Sequence, residues 1–527
     1  MQAGDVEAEA WVEYQSGELV GMVRCALIKG VQRAESIQDF TEVCNYVEKE
    51  FTKFTQPKPG LVRFLDSRVP HYQTVPVDKF PKDMYDKLYD YQKESVRRLV
   101  EEMDGRGLLS LDMGKGKSAT AAFVASCYSK EDILIVTPKS TLINWKQEFK
   151  RWVNVDCNII KDTKKGPGEC SNCIISYDSA KMNEQILDHP WKVVIFDESH
   201  HLKNPNTIRT KALLKIAKGA RSVLMLSGTP RIKCNSELYT QICPLVKDPK
   251  SILGSYHEFT ERYCSARYVY SYGGRKVWEL GKSRFNSELN ALLSRVMIRM
   301  VDDTNNNSAN LPSKTRTIHE FSLTDEHVLH KLASLEHELS EAEDRNEKNQ
   351  LILEKCRVTA KAKVPYVFSW CLEWLKENPE EKLVVFAQSV AVILAIQSLF
   401  ESSGLSCASI KGDTPMTKRQ AIIEHLRAPG DLKYRVGVLS YGTCSLGITL
   451  CPGCYTAVFL ELVFTSITHE QSENKLHRVG ATRPVSIHYF VATNSSDNML
   501  LSVIQSKTNT NAQVLDRKRR RLVFDTK

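Results

Sequence analysis

Between residues 108 and 123 the chain reads LLSLDMGKGKSATAAF, two glycines, a lysine and a serine between an apolar run and an alanine-rich segment. These residue types at this spacing can hold phosphate. Glycines let backbone N–H groups approach phosphate oxygens, a lysine neutralises the outer phosphates, and a hydroxyl ligates magnesium. The candidate loop is Asp112, Met113, Gly114, Lys115, Gly116, Lys117 and Ser118, with Ser118 as the metal-ligating hydroxyl. Leu111 stands where the strict GxxxxGK[ST] pattern has its first glycine. Further along, WKVVIFDESHHLKN delivers two adjacent carboxylates, Asp197 and Glu198. Asp197 suits the magnesium shell, and Glu198 suits orienting and deprotonating an attacking water. Alone, either stretch would be an ordinary polar turn. In this order each makes the polar-turn reading of the other much weaker.

Such residues need rigid elements to hold them. GLLSL reads as a buried strand and SATAAFVASCYS as a helix that begins after the serine, the strand, turn and helix that a phosphate loop requires. The apolar run before Asp197 is a second buried strand, and open α/β sheets carry their sites at the C-terminal ends of strands. RSVLMLSGTP repeats the layout, ending in Ser227, Gly228 and Thr229. The second half has its own series. EKLVVFAQSVAVILAIQSLF, ASIKGDTPMTKRQAIIEHLR and YRVGVLSYGTCSLGITL each begin with a strand that runs into a polar or glycine turn. The expected class is α/β.

Composition bounds the alternatives. The 527 residues are 42% hydrophobic, enough for substantial cores and, at roughly 150 residues per domain, about three domains. Lys and Arg number 72 against 63 Asp and Glu, a net charge of +9 that admits a polyanionic partner. No window reaches the apolar length of a membrane span, and the first residues are acidic rather than signal-like. The fifteen cysteines are scattered through apolar runs, which suits buried thiols in a reducing compartment. The reading is a soluble intracellular protein without a membrane role.

The series LYDYQ, DMGKGKS, ILIVTPKSTLINWKQEFKRW, DESH and LSGTP resembles the motor of superfamily-two helicases, specifically the Swi/Snf-type DNA-dependent ATPases. That resemblance implies two RecA-like parallel-sheet lobes with helical insertions, using ATP and magnesium. It assigns Gln92 to the adenine and sets Thr137, Pro138, Lys139 and Ser140 toward a nucleic-acid backbone. In the second lobe Gly412 with Asp413 matches a glycine-containing turn, and Ser440, Gly442, Thr443, Gly447 and Thr449 match the fifth helicase motif. HEQSENKLHRVGATRPV matches the last motif, with Gln471, Lys475 and Arg478 as nucleotide-site residues and Arg478 as the arginine finger. Lys475 and Ala481 stand where the family has arginine and glutamine. Lysine lacks the bidentate fork, which implies slower hydrolysis or reliance on one finger. Further stretches, among them RYCSARY, ELNALLSRVMIRM and LPSKTRTI, are similar to the HARP-type annealing helicases and their zinc-finger relatives. This implies a monomeric translocase on double-stranded or forked DNA, in the nucleus, with single-strand-binding or replication proteins as further partners. A chromatin-remodelling motor and a catalytically weak ATP-binding DNA clamp are the alternatives.

The expected organisation is an accessory segment over 1–80, an ATP-binding lobe over 81–300, a linker and helical element over 301–365, a second lobe over 366–512 and a basic tail over 513–527. WVEYQSGELVGMVRCALIKG alternates like strands, and SIQDFTEVCNYVEKEFTKF has helical spacing. MVDDTNNNSANLPSKTRT reads as a surface linker, followed by leucines at helical spacing among charges. The pairs Cys170/Cys173 and Cys451/Cys454 each have half a zinc spacing, but isolated pairs are usually structural, so no metal beyond magnesium is assigned. Arg517 to Arg521 is a run of five basic residues, a candidate import signal or DNA-backbone patch.

Overall fold

Alternation shows how the first sheet is buried. In the strand Val193–Asp197, Val194 and Phe196 join one apolar cluster while Val193 and Ile195 join another, so both faces are covered. This is the pattern of a parallel sheet between helical layers. The computed structural model describes residues 57–67, 71–79, 81–111, 115–162, 165–168, 171–231, 234–270, 274, 276–300, 312–444, 448–478, 480–516 and 525–526, and the backbone of 9–15 and 18–24. The chain forms two compact units. The first comprises 1–112, 116–301 and 510–519, and the second 113–115, 302–509 and 520–527.

In the first unit, β1 (Glu9–Gln15) and β2 (Glu18–Arg24) make an antiparallel hairpin. Among the described residues the main sheet holds seven parallel strands. They are β3 (Arg106–Leu111), β4 (Ile133–Thr137), β5 (Asn158–Ile160), β6 (Cys173–Ser176), β7 (Val193–Asp197), β8 (Ser222–Leu226) and β11 (Met297–Met300), in the order β11-β3-β8-β7-β4-β6-β5. A separate antiparallel pair, β9 (Arg267–Tyr270) and β10 (Lys276–Glu279), stands outside that sheet. The helices that bear on function are α1 (Asp90–Arg97), α2 (Lys117–Tyr128), α3 (Leu142–Val153) and α4 (Tyr256–Cys264). α2 starts one residue before the expected serine, so Ser118 lies in its first turn.

The second unit repeats the plan. Its sheet holds, among the described residues, β12 (Lys314–Ser322), β13 (Leu383–Ala387), β14 (Cys407–Ile410), β15 (Val436–Ser440), β16 (Thr456–Phe459), β17 (Val485–Thr493) and β18 (Asp525–Thr526), all parallel, in the order β14-β15-β13-β16-β17-β12-β18. Val384 and Phe386 of β13 enter one cluster, and Leu383, Val385 and Ala387 the other. The helices are α5 (Glu326–Glu341), α6 (Arg345–Glu377), α7 (Val390–Ser402), α8 (Met416–Arg427), α9 (Ser466–Glu473) and α10 (Ser496–Asp516), whose last residues fall in the first unit's range. The architecture is thus α/β with two RecA-like parallel-sheet lobes.

Buried charges fasten this second lobe. Lys382 Nζ donates to the carbonyls of His425, Leu426 and Ala428 at 2.5, 3.3 and 2.6 Å, capping the C-terminus of α8. Glu461 accepts from the backbone N–H groups of Gln388 and Ser389 before α7. Lys363 of α6, fully buried, donates to Asp497 Oδ2 at 2.6 Å and to Phe490 O at 2.7 Å. The surface-linker reading fails from Lys314 onward. Lys314–Ser322 is β12, paired along its nine residues with β17, because each lobe-two sheet strand finds its partner far away in sequence. The stretch of helical spacing over 36–54, linker residues 301–311, Cys170 and the basic run 517–521 lie outside the described residues.

Candidate nucleotide site

In lobe one β3 and α2 flank the expected phosphate loop. Asp112, Met113 and Gly114 lie outside the described residues. Gly116 has a left-handed φ of 71° at the N-cap of α2, a conformation that costs glycine little. A Cβ there would fall 2.2 Å from Gln92 Nε2, so the loop backbone packs directly on the glutamine expected to meet adenine. Gln92 is buried in α1, and its Oε1 accepts from Tyr89 N at 2.9 Å. Lys117 Nζ donates to Leu111 O at 2.8 Å, folding back to the end of β3. Lys115 and Ser118 are partly exposed.

The carboxylate pair ends β7. Asp197 is buried, and its Oδ2 accepts from Thr137 Oγ1 and from Trp145 Nε1, each at 2.8 Å. Its Oδ1 accepts from Glu198 N at 3.0 Å, and its carbonyl accepts from Tyr177 OH at 2.8 Å. Burial, and then the neighbouring Glu198 charge, hold its carboxyl above the usual carboxylate range, while Lys117 lowers it. The two side-chain donors and the one backbone donor to the carboxylate are all neutral, so no cation is among them. A buried carboxylate held by neutral donors fits a divalent cation. Glu198 sits at φ 50° with Oε2 at 3.3 Å from His200 Nδ1, and the same nitrogen is 3.1 Å from Ser227 Oγ. Ser227 also accepts from Thr229 N at 3.1 Å. His200 therefore links the carboxylate turn to the turn after β8.

Sequence reasoning missed Trp145 as a site residue. It is an α3 aromatic at core spacing, and only the indole N–H distinguishes it from an apolar packing residue. Thr137 also departs from expectation. Its side chain is buried against Asp197 rather than turned to a nucleic-acid backbone, because the carboxylate at the adjacent strand end needs its hydroxyl. Of the other three residues in that stretch, Lys139 is exposed, and Pro138 and Ser140 are partly exposed.

In lobe two Gln471 is partly exposed on α9, and Lys475 is buried. Arg478 Nη1 donates to Thr449 Oγ1 at 2.5 Å, joining the last motif to the fifth. Burial pulls its guanidinium below the ordinary range. Glu473, at the end of α9, is fully buried and accepts from Arg316 at 2.6 and 2.7 Å, Lys314 at 2.9 Å and Tyr489 OH at 2.8 Å. Gly412 is exposed in the turn after β14, where Arg419 Nη2 donates to its carbonyl at 2.6 Å. Ser440 ends β15 and is partly exposed, whereas the side chain of Thr443 and the whole of Gly447 lie outside the described residues. Cys454 Sγ donates to Leu426 O at 3.2 Å, and burial pushes its thiol up to about 12. Among the described residues no cluster of three or more metal-ligating side chains occurs.

Residues 91–360, more than half of the chain, match the SNF2-related domain. The chain belongs to the SNF2-related family. Residues 366–480 match the helicase conserved C-terminal domain, so this SNF2-related protein has both halves of a helicase-like ATPase. The SWI/SNF-related matrix-associated actin-dependent regulator of chromatin subfamily A-like protein 1 of Xenopus tropicalis is 32% identical over 464 residues, 86% of this chain and 47% of that protein. The DNA annealing helicase and endonuclease ZRANB3 of Mus musculus is 27% identical over 463 residues, 85% of this chain and 42% of that protein. The SNF2-related chain thus spans less than half the length of these relatives. The solved Sulfolobus solfataricus SWI2/SNF2 ATPase core in complex with dsDNA matches 81% of this chain and 92% of its own at 18% identity, with a TM-score of 0.39. No helix among the described residues is long and apolar enough to cross a membrane.

Proposed function

We propose that this SNF2-related chain hydrolyses ATP to translocate on double-stranded or forked DNA and that it anneals or remodels replication and repair intermediates in the nucleus. The observation that supports it most is Asp197, a buried carboxylate held by neutral donors within the electrostatic reach of Lys117. In this reading Gln92 holds the adenine, Lys117 the outer phosphates, and Glu198 positions and deprotonates the attacking water. Ser118 and Asp197 are the residues that would hold magnesium, which supplies charge neutralisation for the phosphate oxygens. Arg478 stabilises the transferred phosphoryl group as the planar fork, with Gln471 and Lys475 as its lobe-two companions. Pro138, Lys139, Ser140, Gly412, Ser440 and Thr443 meet the sugar-phosphate backbone, which positions DNA without reading sequence. Two relatives carry names that speak of chromatin and of DNA annealing, and the annealing reading is the one the branch stretches favour.

The test is ATP turnover of the purified chain without DNA and with blunt duplex, forked duplex, single strands or nucleosomes. Stimulation by duplex or forked DNA that Lys117→Ala and Glu198→Gln both abolish is expected. Nucleosomes stimulating more than naked DNA would instead favour a chromatin motor. Flat turnover with retained ATP binding would make the chain a DNA clamp and the motor reading wrong.

A further inference from the structure

The pair β9–β10 has two different faces. Its register sets Trp278 opposite Tyr268 and Lys276 opposite Tyr270, so these four side chains share one face, while Val269, Val277, Arg267 and Glu279 share the other. The first face is built from the inside outward. Trp278 Nε1 donates to Thr260 Oγ1 of α4 at 3.1 Å, and its ring lies 5.0 Å from that of His257. Tyr268 meets Trp278 edge-on at 4.7 Å, and Lys276 Nζ lies 4.4 Å over the Tyr268 ring. Trp278 is thus anchored to lobe one, Tyr268 is held in place by Trp278 and Lys276, and the series ends in solvent. Tyr268 is 51% exposed and Tyr270 76%. A two-stranded ribbon gains little stability from aromatic surface left in water. Beside it lies a hollow of about 640 Å³, lined by Lys203, Asn204, Asn206, Glu237, His257 and Trp278 among others, with Lys203 Nζ 3.8 Å from Glu237 Oε1.

Open ring faces, cations and amide groups within one patch fit a ligand with flat unpaired faces on an anionic chain. Base stacking on aromatic side chains, with basic groups along the backbone, is how unpaired strands are bound without sequence preference. We propose that β9–β10 and the hollow beside it form a stacking platform for the bases of an unpaired DNA strand. Tyr268 and Tyr270 offer the stacking faces, Lys276 and Lys203 the phosphate contacts, and Asn204 and Asn206 groups that can bond a base edge. The platform rests on the DNA reading above and sharpens it, since it would let the chain favour DNA with an unpaired arm over uninterrupted duplex.

The experiment measures the affinity of the full chain by fluorescence anisotropy for a blunt duplex and for the same duplex with one unpaired arm, at one salt concentration. A fluorescent base analogue in the arm reports stacking directly. Tyr268→Ala with Tyr270→Ala is expected to weaken binding of the armed DNA about tenfold, the size of a lost base-aromatic stack, and to leave the blunt duplex within about twofold. The same change should remove the quenching of the base analogue, and Tyr268→Phe with Tyr270→Phe, which keeps the rings, should retain both. Equal losses on both DNAs, or unchanged affinity for both, as a role toward a protein partner would give, overturn the platform alone. So would a phenylalanine pair as weak as the alanine pair. Wild-type chain that binds neither DNA, and whose ATP turnover neither stimulates, overturns the DNA reading and the platform with it.

Discussion

Asp197 is the residue whose surroundings are most sharply drawn. Its Oδ2 takes hydrogen bonds from a threonine on β4 and a tryptophan on α3, so a buried charge is held by two elements besides its own strand. Trp145→Phe keeps an aromatic ring, deletes one donor and leaves the space of the lost pyrrole ring, so the loss includes a packing part. An unmade hydrogen bond to a buried charged group costs about 1.5–3 kcal/mol, so urea unfolding should show a loss of that order, and ATP turnover should fall with it. Acid should act on other residues. Burial lowers the His469 pKa from its ordinary 6.5 to about 4. A depressed folded value means stability present above pH 6.5 and lost as pH falls toward 4. Glu473 follows at lower pH. Lys314 and Arg316 overcome the burial that opposes them and hold its carboxyl down, from 4.5 to about 2, so its contribution is lost between those values. Burial lowers His201 to about 4 as well, so the thermal midpoint should begin to drop below pH 6.5, before the carboxylates titrate, and His469→Gln should lessen that first limb while leaving the His201 part.

At the scale of elements, the strand ends were legible and their neighbours were not. Apolar runs that stop at Asp112, Asp197 and Ser440 announce strands with polar termini, and glycine marks the turns. The pairing of β12 with β17 was hidden because KTRTIHEFS alternates weakly and its partner is distant in sequence. The resemblance sets Thr137 toward a nucleic-acid backbone, and nothing local shows that the adjacent strand ends in a carboxylate. The glycine turn itself invites a test. Gly116→Ala would place a methyl on Gln92 at a backbone angle that alanine resists, costing about 1 kcal/mol or more in strain alone. The expected result is loss of ATP binding, read by a fluorescent ATP analogue, with the circular dichroism spectrum retained. Lys382→Met deletes three hydrogen bonds to the end of α8. Unfolding free energy should fall by about 1–3 kcal/mol, the cost of carbonyls left unpaired.

At the scale of the molecule, a net charge of +9 and the proposed phosphate contacts imply binding governed by counterion release. The DNA concentration needed for half-maximal ATP turnover should rise steeply and log-linearly with salt, with little dependence on sequence. Lys139→Ala should reduce that slope by about one unit if the residue meets a phosphate, while ATP turnover at saturating DNA stays near wild type. The two-lobe plan was legible because the strand, turn and helix series occurs twice.

The indole beside Asp197 has an optical consequence. Of the seven tryptophans in the chain, Trp145 gives its N–H to the carboxylate that magnesium would share, so the emission of one native fluorophore is wired to the charge of the site. With a chain in which the other six are replaced by phenylalanine, titrating magnesium and nucleotide should move that emission without any attached dye, and stopped-flow records of it would time the site's filling from within.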